Sequence, residues 1–303
     1  MSTASEIQTI AVIGSGVMGS GIAAQIANAG LDVLLYDIVP DGAEDRNIVA
    51  RGAIARMLKT DPAPLMHKSF AGRITPLNLE DDLKRLGECD LIIEVVLERL
   101  DVKHATYEKI IAHKRKGAIV TSNTSSIPLA ELVEPFDKDF QHHFVITHFF
   151  NPPRYLRLLE LIIGENTKSE VVDTVRDFCD RQLGKTVVVA KDTPGFIANR
   201  IITFWLTKAV NTALDQGVSV EIADAVMSKP CGIPKTGVFG LLDLIGLDLM
   251  PHLSASLLSR LPKQDLYAQE HQDVPFITQM IEAGYTGRKG KGGFFRLNPD
   301  APK

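Results

Sequence analysis

The chain has 303 residues, 45% of them hydrophobic and 23% charged, which suits a globular protein able to bury a core without disulfide staples. This excludes disorder, collagen-like repeats and small disulfide scaffolds. Lys and Arg total 33 against 37 Asp and Glu; the formal net charge of -4 offers no cationic field for a phosphate backbone, so nucleic acid is not an expected partner. Cys89, Cys179 and Cys231 are far apart and read as reduced, mostly buried thiols. The polar start MSTASEIQ does not read as a signal peptide, and each long apolar run meets a charge before the 18 residues a membrane span needs. A cytoplasmic protein is the default expectation.

In chain order, TIAVIG (Thr9 to Gly14) is a nearly continuous apolar run that suits a strand covered on both faces. MGSGIAAQIANAG, closing at Gly30, reads as a helix with a C-terminal glycine, and DVLLYD as a second strand ending in Asp37. Parallel strands need a crossover, so one strand-helix-strand unit is the economical reading. From about Gly42 to Leu86 the chain reads as a mainly helical insertion, with turn signals at DPAP (Asp61 to Pro64) and TPLN (Thr75 to Asn78). The rhythm resumes with CDLIIEVV, a helix around Lys103 to His113, GAIVTSN and HFVIT. LRLLELII and KTVVVAK supply two further strands.

After KDTPGF only helical patterns remain: FIANRIITFWLTKAVNTALDQG, SVEIADAVMSKP and GLLDLIGLDLMPHLSASLLSRL. A glycine-rich basic turn and the polar tail NPDAPK close the chain. The boundary falls at Asp192 to Gly195, giving an α/β nucleotide-type domain over 1-192, with its insertion near 42-86, and an all-helical domain over 193-303.

The strongest local signal is Gly14-Ser15-Gly16-Val17-Met18-Gly19. A G-x-G-x-x-G match is weak alone, but here it follows a strand, opens a helix and precedes a strand that ends in an acid. Gly14 permits the tight turn, Gly16 the approach of a pyrophosphate and Gly19 close helix-strand packing. The first helical turn, with Val17 and Met18, offers free N-H groups to the phosphates. Asp37, 21 residues after Gly16, can accept adenosine ribose hydroxyls and repel a 2'-phosphate, and IVPDGA holds no base for such a phosphate, so NAD is favoured over NADP. The alternatives are a turn that binds nothing and an acid that only ends a strand.

A nicotinamide cofactor calls for a proton acceptor beside the substrate hydroxyl. Of eight histidines, His148 stands where HFVIT ends and FFNPP turns away, the strand end at which open α/β sheets collect their sites. Glu160 interrupts the apolar LRLLELII, where an acid is costly unless paired. The two make sense as a base and its orienter, or as a purely structural pair. The cluster Thr121 to Ser126 emerges at another strand end, to hold a substrate oxygen or to cap a helix. Asn199 stands near the start of a helix with its amide available to a cleft. Glu94 and Glu98, in EVVLE, are further cleft-lining, cofactor-binding candidates. GRKGKGG lacks the features of a Walker A loop and is a solvated turn or a phosphate contact, and no segment has metal-ligand spacing.

Together IAVIGSGVMGSGIA, DLIIEVVLE, SNTSSIPL, HFFNPPRYLRLLELI, KDTPGFIANRI, GVFGLLDLIGLD and GRKGKGGFF make the chain resemble the L-3-hydroxyacyl-CoA dehydrogenase family over nearly its whole length. The resemblance implies an α/β Rossmann-type nucleotide-binding domain followed by an all-helical C-terminal domain that closes on substrate and forms a homodimer. It implies His148 as catalytic base, Glu160 as its acidic partner, Ser125 and Asn199 as substrate contacts, and NAD-dependent oxidation of an acyl-CoA thioester to 3-ketoacyl-CoA in fatty-acid β-oxidation. Lys59 and Lys68, in the insertion, are candidate CoA phosphate contacts. NPPRYLRLLE, GVFGLLDLIGLD and GYTGRKGKGGF look more like the dehydrogenase portions of multifunctional β-oxidation enzymes, so a hydratase region or a second helical module in a longer parent chain is expected. A small hydroxy-acid dehydrogenase and a redox-silent dinucleotide-binding module are the competing functions.

Overall fold

The computed structural model describes residues 7-233 and 235-296. Most of the polar start MSTASEIQ and the tail NPDAPK lie outside them. The chain divides into two compact units that part between Phe196 and Ile197.

The first unit carries an eight-stranded sheet. Its elements are β1 (Ile10–Ile13), α1 (Val17–Asn28), β2 (Val33–Asp37), α2 (Ile48–Met57), β3 (Ile74–Asn78), β4 (Leu91–Glu94), α3 (Leu100–His113) and β5 (Ile119–Ser122). There follow α4 (Leu129–Val133), α5 (Lys138–His142), β6 (Phe144–Phe149), β7 (Leu158–Ile163), α6 (Ser169–Asp177) and β8 (Thr186–Ala190). The order across the sheet is β3-β2-β1-β4-β5-β6-β7-β8. All neighbours are parallel except β6 and β7, which the loop at 150–157 joins without a crossover.

Alternation along β1 explains why it is apolar throughout. Ile10 and Val12 face one core with Ile22 and Ile26 of α1 and Val175 of α6. Ala11 and Ile13 face a second core with Tyr107 and Ile110 of α3 and Phe140 of α5.

Two expectations need correction. The stretch from 42 to 86 is not mainly helical: α2 and two short 3-10 turns, Lys68–Arg73 and Leu83–Glu88, flank β3, and TPLN is part of that strand. β3 is the sheet edge, where Pro76 deprives no neighbouring strand of a hydrogen bond. A proline in a short segment mimicked a turn.

The second unit holds α7 (Ala198–Asp215), α8 (Val220–Val226), α9 (Phe239–Ile245), α10 (Leu249–Leu258), α11 (Leu266–Glu270) and α12 (Pro275–Glu282). Leu206, Val210, Phe239, Leu242 and Leu247 form its core. GLLDLIGLDLMPHLSASLLSRL is not one helix, since the chain bends by 93° between α9 and α10. Gly246 turns the corner at φ +108, a region closed to most side chains. Among the described residues no single helix is long and apolar enough to cross a membrane.

Candidate active site

The carboxyl ends of β1, β4, β5 and β6 lie side by side, and the candidate residues sit there. Gly14 leaves β1 at φ +103 and donates to the Tyr36 carbonyl at 2.9 Å, and a Cβ on it would lie 2.5 Å from the Val95 carbonyl oxygen. Gly19 is equally constrained: its Cβ would fall 1.8 Å from the Gly14 carbonyl oxygen, so helix and loop touch through main chain. Gly16 differs, because a Cβ there meets nothing within 4 Å. It faces open space, as a cradle for a bulky anion must. Gly16 also caps α1 without a side-chain hydrogen bond, and Val17, the first helical residue, is 73% exposed, while Met18 is half-buried. An uncapped helix N-terminus behind an open glycine fits a pyrophosphate.

Asp37 ends β2 beside this loop. Its Oδ2 accepts the Ser15 N-H at 2.7 Å and the Ser15 hydroxyl at 2.5 Å, while Oδ1 accepts the Ile38 N-H at 2.7 Å. A carboxylate has about four acceptor positions, so one on Oδ1 remains for a ligand hydroxyl.

His148 and Glu160 are directly opposite each other in the antiparallel register of β6 and β7. The imidazole Nδ1 lies 2.8 Å from Glu160 Oε2, and the residues are 5% and 1% exposed. A carboxylate only accepts, so Nδ1 carries the proton and Nε2 presents its lone pair. The rings of Phe150 and Phe196 flank the imidazole at 4.5 and 5.6 Å between centroids. This geometry can take up a proton and stabilise the resulting cation.

Glu94 and Glu98 have separate surroundings. Glu94 is fully buried: Oε1 accepts the Val96 N-H at 2.7 Å and Lys103 Nζ at 2.8 Å, and Oε2 accepts the Tyr107 and Ser122 hydroxyls, each at 2.7 Å. With its acceptor positions filled from within, Glu94 anchors β4, β5 and α3 beneath the site and does not reach a cofactor, which corrects the sequence expectation. Burial and the Glu94 charge push the Tyr107 hydroxyl well above its usual range, so it stays a donor.

Glu98 is partly exposed. Its Oε1 accepts the Thr124 hydroxyl at 2.6 Å, the Ser125 N-H at 2.9 Å and the Ser126 N-H at 3.1 Å, and its Oε2 lies 3.2 Å from Lys103 Nζ. Burial pushes the Glu98 carboxyl up, but the Lys103 charge and these hydrogen bonds outweigh it and hold it below the usual range. Glu98 thereby fixes the loop that carries Ser125. Asn123 of the same loop accepts the Phe149 N-H at 2.9 Å, which ties it to β6. The Ser/Thr cluster does not cap α4; the Asp192 carboxylate does, accepting from Leu129 and Ala130 N-H at 2.8 and 3.1 Å.

Nearly the whole of the described chain has counterparts among known proteins. The model of the 3-hydroxyacyl-CoA dehydrogenase NAD binding domain matches residues 9–193, and that of the C-terminal domain matches 195–297. The chain belongs to the 3-hydroxyacyl-CoA dehydrogenase family. Residues 9–193, which include the Gly14-Gly16-Gly19 loop, accordingly form an NAD binding domain. A Rickettsia felis protein named as a fatty acid oxidation complex trifunctional enzyme is 46% identical over 97% of this chain, which spans 41% of that relative's length. The 3-hydroxybutyryl-CoA dehydrogenase of Bradyrhizobium diazoefficiens is 33% identical, with 96% of each chain covered. Among solved structures, the (S)-3-hydroxybutyryl-CoA dehydrogenase of Ralstonia eutropha matches with a TM-score of 0.77 at 31% identity, covering 97% of this chain and 100% of that one.

The remaining candidates lie elsewhere along the chain. Asn199 lies half-buried in the first turn of α7, in the helical unit. Lys59 and Lys68 are exposed, Lys68 opening the first 3-10 turn. The GRKGKGG turn closes through a bridge between Gly287 and Gly292, and buried Asp243 accepts the Phe294 and Phe295 N-H groups, each at 2.8 Å. Arg288, Lys289 and Lys291 are thus held exposed on a fixed turn. Cys89 and Cys179 are buried and Cys231 is exposed.

Sequence reasoning missed Lys103, Asp192 and Asp243. Lys103 had a readable signal, because it shares a helix face with Tyr107 four residues on, just after the acid-ending β4. The others act through main-chain contacts that no spacing announces.

Proposed function

We propose that this chain oxidises L-3-hydroxyacyl-CoA to 3-ketoacyl-CoA in fatty-acid β-oxidation. The observation that carries the reading is the buried His148–Glu160 pair at the strand end two strands from β4, itself the neighbour of the nucleotide loop's β1. NAD, when bound on that loop, supplies the hydride acceptor. His148 Nε2 takes the proton of the C3 hydroxyl, and in the opposite direction returns it to the ketone oxygen. Glu160 holds the ring in the right tautomer and stabilises it when charged. Ser125 and Asn199 orient the substrate oxygens, and Asp37 receives an adenosine ribose hydroxyl. The relatives' names support the CoA thioester substrate, and the trifunctional relatives support a longer parent enzyme. Pairing of two copies through the helical unit belongs to the same reading.

The test follows NADH absorbance with short and long 3-ketoacyl-CoA, with free acetoacetate as comparison. Oxidation with thioesters and not with the free acid is expected. Preference for the free acid would move the assignment to a small hydroxy-acid dehydrogenase. NADH binding without turnover of any thioester, in the full-length protein as well, would overturn the enzymatic reading.

A further inference from the structure

One buried lysine has no acidic partner among the described residues. Lys185, just before β8, is 2% exposed; its ammonium donates to the carbonyls of Pro153 and, at 2.9 Å, Leu156, and lies 5.6 Å from the centre of the Phe149 ring. Both carbonyls belong to the 150–157 loop, which begins two residues after His148. The loop's first residue, Phe150, stacks near the His148 ring. Further along, Pro153 approaches α1 so closely that a Cβ on Gly21 would lie 2.8 Å from its Cδ. From outside, Arg154 donates to the carbonyls of Ala63 and Leu65 at 2.6 and 3.0 Å. The loop therefore touches the base at one end and the nucleotide helix in the middle. An ammonium buried without a counter-charge is expensive, and a methionine would fill the same space.

We propose that Lys185 is a positioning residue: by gripping Pro153 and Leu156 it fixes the loop that sets His148 against the nucleotide helix α1. This rests on the reaction proposed above. Slack here matters, because a misplacement of about 1 Å in such a site costs about 100-fold in rate.

Lys185→Met retains the apolar stem and removes the donors. In the folded variant kcat for 3-ketoacyl-CoA reduction is expected to fall about 10- to 100-fold, with NADH affinity changed less than about 3-fold. Deuterium uptake should rise at Tyr155 and Leu156, whose N-H groups close on the Pro152 carbonyl. Lys185→Arg, which keeps the charge, should recover most of kcat. Gly21→Ala pushes Pro153 from the opposite side, so it should lower kcat with Lys185 intact, and the double variant should lose less than the product of the two effects. Unchanged exchange across 150–157 in Lys185→Met, or loosened exchange with full kcat, overturns the proposal. Should the wild type turn over no thioester, the reaction assignment fails, while exchange and NADH titration of the same variants still decide whether Lys185 holds the loop.

Discussion

Replacing Glu160 by glutamine isolates the carboxylate's contribution to the base. The substitution conserves shape and can still accept the Nδ1-H, so the ring stays oriented; what disappears is the negative charge 2.8 Å from Nδ1, between side chains only 6% and 1% exposed. A hydrogen bond to a charged partner contributes about 1.5 to 3 kcal/mol beyond solvent, and that stabilisation matters when the imidazole is positive. The expected loss in kcat is therefore about 10- to 150-fold. Steady-state NADH absorbance with a saturating 3-ketoacyl-CoA reads kcat, and fluorescence titration reads NADH affinity, which should stay within about 2-fold because Glu160 is two strands from β5 and has no part in the nucleotide loop. A kcat loss below about 3-fold would show that the carboxylate only aligns the ring. A parallel collapse of NADH affinity would show that the substitution damaged the sheet.

Asp37→Ala should weaken NADH by about 10- to 100-fold and narrow the gap to NADPH; titration of both nucleotides checks this, and unchanged preference would refute the ribose contact. Lys103→Met strands fully buried Glu94 and should cost about 3 to 5 kcal/mol in urea unfolding, most of it recovered in the double variant with Glu94→Gln. A loss under about 1 kcal/mol would mean Glu94 takes up a proton cheaply. Alkaline stability should pass through a maximum. Burial lowers Lys185 to about 8, with the neutral Cys179 thiol its titratable neighbour, and raises the Cys89 and Cys179 thiols to about 12. Above pH 8 the folded chain has shed a proton that the unfolded chain keeps, so stability rises; above pH 9 the unfolded chain loses two thiol protons that the folded chain keeps, so stability falls. The limiting slope is about 1.4 kcal/mol per pH unit for each proton. Urea melts from pH 7.5 to 10.5 test it, and a steady decline from pH 8 would contradict the sign.

The glycine loop of the candidate site was legible because its geometry is local. Gly14, Gly16 and Gly19 sit within one turn, and their reasons for being glycine, a positive φ, an open face and a main-chain contact, follow from spacing alone. His148 and Glu160 were legible for another reason: an acid inside LRLLELII breaks a pattern and asks for a partner. The direction of β7 was not, since an apolar run looks the same read either way. β3 was hidden by Pro76, and the bend at Gly246 by helical periodicity that continues on both sides of one glycine. Glu94 shows the opposite failure. At a strand end an acid looks the same whether it meets solvent or is sealed by Lys103, Tyr107 and Ser122, because those partners arrive from α3 and β5.

The register of β6 and β7 bears on why the acid is there at all. Side chains alternate along a strand, so His148 and Glu160 share a face with Ile146 and Ile162, which belong to the core that also holds Phe196. A one-residue slip of either strand would take its member of the pair off this face. On this face an apolar pair at 148 and 160 would satisfy the fold without desolvating a charge, and replacing both members of a buried pair is commonly neutral or better. Folding alone therefore does not call for a charge at 160; the reaction proposed above, in which a His148 only 5% exposed changes its charge, does. The antiparallel return of β7, made by the very loop that Lys185 grips, is what brings the two together.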